Sequence, residues 1–168
     1  MKQLEELLLS PRQMHHAQMM SAWVGISSKR FDALAALVYG DDPVLAQKAA
    51  WPMTYISEAH PEWIQKHLPD LLAATKKPGV HTAIVRSVVR SLQFVSIPQS
   101  LHGEVMDSCF RYIEDISEKP AVKAFALTVL HHLSKQYPDI LPEIKEIVAS
   151  RMDLETPAFR VRARVFCR

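Results

Sequence analysis

The positions of three prolines restrict the fold of this chain more than any other feature. Pro43, Pro120 and Pro157 each follow a polar residue and precede a run in which apolar residues recur at helical spacing. Proline is tolerated in the first turn of a helix, because the N–H group that it lacks would have no partner there. The three prolines therefore predict starts of helices rather than interruptions. Four further prolines are interpreted in the same way: Pro11, Pro61, Pro98 and Pro138.

The apolar residues that follow each predicted helix start form one stripe on the helix, at offsets of about 0, 4, 8 and 11 positions. The stripes are Leu45, Ala49, Met53 and Ile56; Ile84, Val88, Leu92 and Val95; Val122, Ala126, Leu130 and Leu133; and Phe159, Ala163 and Phe166. A serine closes each complete stripe, and Ser57, Ser96 and Ser134 are spaced by 39 and 38 positions. The pattern therefore repeats about every 38 residues.

A second amphipathic stretch follows each of the first three, within residues 61–75, 98–118 and 138–153. The repeating unit is thus a helix, a short turn and a second helix. Neither helix can bury its stripe alone, so neighbouring units must stack on one another. Pro52 and Pro69 fall inside predicted helices and predict kinks there.

The first helices resemble those of HEAT or armadillo-type repeats, in which a proline precedes an apolar residue, a basic residue and, three positions later, an alanine. Val122-Lys123 with Ala126 fits this pattern, and so does Phe159-Arg160 with Ala163. Leu45-Ala46 lacks the basic residue, and Val85-Arg86 is shifted by one position. The resemblance extends over roughly residues 11–168 and implies an all-α, right-handed α-α superhelix, a HEAT/armadillo-like solenoid of about three and a half to four helix pairs.

We expect residues 1–168 to form a single HEAT/ARM-like repeat domain. Residues 1–10 are a possible N-terminal cap, and residues 11–26 a degenerate first helix. We expect residues 157–168 to be the first helix of an incomplete terminal repeat, because no second helix follows them. Either the chain is a fragment of a longer repeat protein, or this helix is an atypical terminal cap. We therefore expect Phe159 and Phe166 to be half exposed, with self-association through this C-terminal helix as a consequence.

Bulk composition places the chain among ordinary globular proteins, with 48% hydrophobic and 23% charged residues in 168. Its formal net charge of +2 is too small to identify nucleic acid or a membrane as the partner. Cys109 and Cys167 do not make a disulfide framework and fit a reducing compartment. The N-terminus lacks a signal-peptide pattern, and no run reaches the length of a spanning helix. We expect a cytoplasmic location and no membrane partner.

Sequence signatures of catalysis are missing. The chain has neither a phosphate-binding loop nor a dinucleotide fingerprint nor a nucleophile elbow. His15-His16 and His131-His132 are adjacent pairs, and neighbours on a helix point about 100° apart and cannot easily share one ion. We therefore predict no catalytic residue, no metal site, no cofactor and no enzymatic activity.

One class of enzyme is built from similar repeats, namely the DNA glycosylases made of HEAT-like helices. Such enzymes hold DNA on a basic concave surface and use an aspartate with aromatic residues around a damaged base. The nearest candidates here are Trp23, Trp51, Trp63 and Asp107, but none lies in a matching motif. This interpretation is kept as a minor alternative.

Charge differs between the two predicted layers, because the first helices sum to +8 and the second helices to −7. The resemblance places second helices on the concave face, which implies an acidic groove and a basic outer layer. Such a groove argues against nucleic acid and favours a basic protein or peptide partner. From register, the expected partner-binding residues are Glu104, Asp107, Arg111, Tyr112 and Asp115.

The main rival is a nucleic-acid binder that uses the basic layer. Its contacts would be Arg86, Arg90, Lys123, Arg160, Arg162 and Arg164. A structural explanation also stays open, because opposite charges can simply hold neighbouring helices together. The leading functional prediction is a non-catalytic protein-interaction or scaffold module that binds along its concave face.

Overall fold

A computed structural model describes residues 2–10 and 16–167, except for the side chains of residues 16 and 17. Within these ranges the regular structure consists of α-helices and short 3₁₀ turns, without a strand. The prediction of an all-α fold is confirmed. The chain divides into two compact units, Met1–Ser96 and Ile97–Arg168, and each is described by itself. The single-domain organisation stays a prediction.

Unit 1 is organised around its longest helix, α4. The helices of this unit are α1 (Lys2–Leu9), α2 (His16–Val24), α3 (Ser28–Tyr39), α4 (Pro43–Ala59), α5 (Pro61–Ile64), α6 (Leu68–Thr75) and α7 (Thr82–Ser91). Helix α4 contacts α1, α2, α3, α5 and α7. Its stripe residues Ala49, Met53 and Ile56 are buried, and α1 covers it with the buried Leu4 and Leu8.

Unit 2 is organised around α9 in the same way. Its helices are α8 (His102–Glu114), α9 (Pro120–Ser134), α10 (Leu141–Arg151) and α11 (Pro157–Ala163), with 3₁₀ turns at Gln99–Leu101, Pro138–Ile140 and Arg164–Phe166. Helix α9 packs against α8 and α11. Its predicted stripe of Val122, Ala126, Leu130 and Leu133 is buried.

Prolines begin helices as predicted. Pro43, Pro61, Pro120 and Pro157 are the first residues of α4, α5, α9 and α11. Pro138 begins a 3₁₀ turn, and Pro98 directly precedes another. Pro11 lies outside the described residues.

The two internal prolines behave differently from each other. Helix α4 continues through Pro52. Pro69 is the second residue of α6, and a 3₁₀ turn at Gln65–His67 separates α5 from α6. The predicted second helix is therefore split just before Pro69, which lies in the first turn of α6, where proline is tolerated.

Helix α7 is shorter than its apolar pattern predicts. It ends at Ser91, so Val95 and Ser96 lie beyond it. The serine that packs against α4 is Ser91, whose hydroxyl oxygen lies 3.2 Å from that of Ser57. Thr54 Oγ1 in the same buried layer donates to the Ser87 carbonyl at 3.0 Å.

The expected half exposure of Phe159 and Phe166 is wrong, because both side chains are buried. Helix α11 packs on α9, and the 3₁₀ turn after it packs on α10. The Phe166 ring also meets His131 edge-on, with 5.7 Å between the ring centroids. A second helix after α11 is thus not needed to cover these two rings.

Candidate partner-binding surfaces

Three of the predicted partner-binding residues share one side of α8. Glu104, Asp107 and Arg111 follow one another at spacings of three and four positions, which places them on one face of a helix. Asp107 and Arg111 are exposed, and Glu104 is partly exposed. The opposite side of α8 is buried through His102, Val105, Cys109 and Ile113, while Ser108 is buried next to the exposed face and accepts a hydrogen bond from Arg111 Nη2 at 3.4 Å. This face of α8 can therefore meet a partner without disturbing the packing beneath it.

Tyr112 and Asp115 have different surroundings from those three. Tyr112 is half-buried. Asp115 lies directly after α8 and is exposed, and its Oδ1 accepts hydrogen bonds from the Ser117 hydroxyl at 2.7 Å and the Ser117 N–H at 2.8 Å. These two bonds lower the pKa of Asp115, so the carboxylate is charged at neutral pH. Asp115 thus shapes the loop after α8 as well as adding charge to its surface.

The prediction that Lys123 contacts nucleic acid is wrong. Its side chain is buried, with a residue exposure of 3%. Its Nζ donates to Glu155 Oε1 at 2.7 Å and to the Ile116 carbonyl at 3.3 Å. An ammonium group held in this way cannot reach a phosphate without breaking the core. The sequence pattern could not show this, because the partner carboxylate lies in a loop one repeat away.

Two other predicted basic contacts also take part in internal interactions. In unit 1, Arg90 lies 2.6 Å from Glu58 in an ion pair. In unit 2, Arg162 Nε donates to Thr128 Oγ1 at 3.1 Å, and its guanidinium group lies over the Phe125 ring. The exposed members of the predicted set are Arg86 in unit 1 and Arg160 and Arg164 in unit 2.

The tryptophans of the glycosylase alternative lie on α2, α4 and α5 of unit 1. Trp23 lies under the Arg30 guanidinium group, 5.5 Å from its ring centroid, and Trp63 stacks on His60 at 3.9 Å. Trp51 is 46% exposed. Trp23 and Trp63 thus have structural contacts of their own, and Trp51 is left partly open to solvent. Of the adjacent histidines, His15 lies outside the described residues, and so does the side chain of His16.

The sequence did not predict a hydrogen-bonded group around His67 in unit 1. His67 Nε2 lies 2.8 Å from Asp32 Oδ1, and its Nδ1 lies 3.3 Å from the Tyr39 hydroxyl. Lys66 Nζ donates to Asp32 Oδ2 at 2.7 Å. Burial opposes the charge of Asp32, but the hydrogen bonds from Lys66 and His67 outweigh it and lower the pKa of Asp32. The group joins α3 to the 3₁₀ turn before α6 and acts as a structural clamp.

Cavities occur beside the loops that connect one helix pair to the next. In unit 1, a cavity of about 590 Å³ lies beside residues 40–44 and 77–81. In unit 2, a cavity of about 540 Å³ lies beside residues 116–120 and 150–156. Neither cavity could be predicted from the sequence, because each is formed by loops that lie a full repeat apart.

In the two described ranges, no helix combines the length and the apolar character that crossing a bilayer requires. Among the same residues, no three His, Cys, Asp or Glu side chains lie close enough together to hold a metal ion.

A protein-family model described as a HEAT repeat domain matches residues 4–167, almost the entire chain. No curated protein and no solved structure matches the chain significantly. The match confirms the resemblance that the proline-led stripes indicated, and it does so for the whole series of helix pairs.

Proposed function

This chain belongs to the HEAT repeat family, and from that premise we propose that it is a non-catalytic module that binds a protein or peptide partner. Members of this family commonly act as protein-interaction scaffolds. The surface that we assign to the partner is the exposed side of α8, with Glu104, Asp107 and Arg111 at its centre and Tyr112 and Asp115 at its C-terminal end. We place the protein in the cytoplasm, where its two cysteines stay reduced.

The observation that supports this proposal is the exposed line of charge on α8. Asp107 and Arg111 are exposed, while the apolar residues that hold the helix in place lie on its other side. Lys123, by contrast, is buried in its ion pair, and the partly exposed Arg90 and Arg162 contact Glu58 and Thr128 of the same molecule. Three of the six basic residues of the rival hypothesis therefore already have internal partners, which weakens the nucleic-acid alternative.

The test is affinity capture from a native lysate, with and without nuclease, using the full chain and an Asp107→Lys variant. We expect a discrete protein that survives nuclease and binds the variant at least about tenfold more weakly, because like charges across an interface are strongly unfavourable. Asp115→Lys is a poorer choice, since it also removes two hydrogen bonds from the loop. Glu6→Lys is the matched control, because Glu6 is an exposed acid on α1.

Two outcomes would reject the proposal. If the retained protein binds Asp107→Lys as well as the unchanged chain, the surface on α8 is not the site. If all retained material disappears with nuclease, the exposed Arg86, Arg160 and Arg164 become the contacts to test. In that case affinity must fall steeply as salt concentration rises, because phosphate contacts release counterions.

A further inference from the structure

Two aliphatic side chains in unit 2 are almost completely surrounded by solvent. Ile116 is 85% exposed and Leu154 84% exposed, although both residue types are usually buried. A single exposed aliphatic residue is ordinary, but these two line the same cavity of about 540 Å³. We call this cavity, together with Ile116 and Leu154, the ledge.

The two residues occupy equivalent places in successive helix pairs. Asp115-Ile116 follows α8, and Asp153-Leu154 follows α10, 38 positions later. Each dipeptide lies in the loop that leads from a second helix to the next first helix. The repeat therefore presents the same combination, an acid followed by a large aliphatic residue, from two loops beside one cavity.

Buried ion pairs among residues that line the cavity hold the loops of the ledge in place. Glu155 Oε1 accepts hydrogen bonds from Lys123 Nζ at 2.7 Å and from Arg151 Nε and Nη2 at 3.1 and 3.0 Å. Lys123 also holds the Ile116 carbonyl, and Arg151 Nη1 donates to the Glu114 carbonyl at 2.6 Å. The loop that carries Ile116 is thus tied to α9 and α10. A surface held in this way loses little conformational freedom when it binds.

The charge around the ledge is negative. Asp115 and Asp153 are exposed and precede the two aliphatic residues directly. Glu118 lies in the first of the two loops, and the exposed cation there is Lys119. The cations Lys123 and Arg151 are largely withdrawn from solvent and share Glu155. A partner that fits the ledge should therefore carry aliphatic side chains next to positive charge.

The outer side of α11 and of the 3₁₀ turn after it has this composition. Val161 is 59% exposed and Val165 40% exposed, while Phe159, Ala163 and Phe166 are buried on the other side. Arg160 and Arg164 precede the two valines and are exposed. The two arginine–valine pairs are four positions apart, the first on α11 and the second in the 3₁₀ turn that follows it, and both valines point away from the buried side. We call these four residues the basic strip.

We propose that the ledge of one molecule binds the basic strip of a second copy of this chain. Val161 and Val165 of one copy cover Ile116 and Leu154 of the other, and Arg160 and Arg164 meet Asp115 and Asp153. The contact joins two different surfaces, and each copy of the chain carries both a ledge and a basic strip. It uses neither Asp107 nor Arg111. It shares Asp115 with the partner-binding surface of α8, so the test below changes Asp153 and leaves Asp115 in place.

The test is a charge exchange followed by sedimentation equilibrium over a wide range of protein concentration. We expect the unchanged chain to associate reversibly, and more weakly as salt screens the charges. Asp153→Arg should weaken association by about tenfold or more, and so should Arg164→Asp, because each places like charges together. The double variant Asp153→Arg/Arg164→Asp should recover association, because the attraction is restored with its sign reversed.

Controls separate the contact from folding and from general charge effects. Val161→Ser removes apolar contact without changing charge and should also weaken association. Arg86→Asp and Glu6→Arg alter exposed charges in unit 1 and should leave association unchanged, and circular dichroism checks that each variant is folded. The proposal is overturned if the unchanged chain is monomeric throughout, or if the charge-exchanged double variant associates no better than the single variants. A result of this kind would leave the capture experiment on α8 unaffected.

Discussion

Lys123 Nζ and Glu155 Oε1 lie 2.7 Å apart, with side chains that are 4% and 6% exposed. The two residues join α9 to the loop before α11. Arg151 shares the same carboxylate oxygen through its Nη2 at 3.0 Å. Lys123, whose charge the sequence predicts to lie in the basic outer layer, is thus part of the interior.

Loss of the shared carboxylate should strongly destabilise the protein. We expect Glu155→Gln to lower the free energy of unfolding by about 3–5 kcal/mol, because it leaves Lys123 buried without a counter-charge. Lys123→Met should cost less, since Arg151 still pairs with Glu155. Urea unfolding followed by circular dichroism measures both values. In the double variant the loss should be smaller than the sum of the two single losses, and strict additivity would show that the two groups do not interact.

Acid should remove the same stabilisation in the unchanged protein. Burial opposes the charge of Glu155, but hydrogen bonds and charges from Lys123 and Arg151 outweigh it, so the pKa lies below its ordinary value of 4.5. A lowered pKa in the folded state gives stability that is complete above the unfolded pKa and is lost as pH falls through the folded pKa. Stability should therefore decline below about pH 4.5, and Glu155→Gln should decline less steeply. Parallel acid profiles for the two proteins would contradict this assignment.

The two cysteines should react at very different rates. Burial raises the pKa of Cys109 to about 12, whereas Cys167 is exposed near the end of the chain. Because the thiolate is the reactive form, an aromatic disulfide reagent should modify one thiol per native molecule. Unfolding in urea should release the second. Rapid reaction of the native Cys167→Ser variant would show that α8 opens easily around Cys109.

Helix α11 should contribute substantially to stability through its buried rings. Phe159 is completely buried between α11 and its neighbours, so Phe159→Ala should cost about 3–5 kcal/mol. Val161→Ala on the exposed side of the same helix should stay within about 0.5 kcal/mol of the unchanged protein. Thermal and urea unfolding provide the comparison. Equal effects of the two substitutions would mean that α11 is not docked on α9 in solution.

The repeat and its helix starts could be predicted because proline carries positional information. Pro43, Pro120 and Pro157 lack an N–H group, and only the first turn of a helix accepts them without loss. The stripe behind Pro120 could be predicted because burial follows the period of a helix. These rules depend on neighbours in the sequence, and they hold where tertiary contacts agree with them.

The errors occur where contacts within the folded chain, either distant or local, change the outcome. Lys123 follows an apolar residue in a family-like pattern, and nothing nearby in the sequence indicates that Glu155 will cover it. Helix α7 keeps its apolar period to Val95 but ends at Ser91, where the Gln93 amide group donates to the Arg90 carbonyl at 3.1 Å. Of the predicted α8 contacts, exposure supports Asp107 and Arg111, and their role stays a prediction.

Contacts between neighbouring helix pairs have a kinetic consequence. Within unit 1, the bonds from Thr54 to Ser87 and from Tyr39 to His67 span 33 and 28 positions, and within unit 2 the bond from Lys123 to Glu155 spans 32. Bringing such residues together closes only short loops, and the entropy lost in closing a loop grows with its length. Low contact order of this kind is typical of chains that fold rapidly. Because each helix pair contacts only the pairs next to it, a pair can be gained or lost in evolution, and the pairs on either side can then pack against each other.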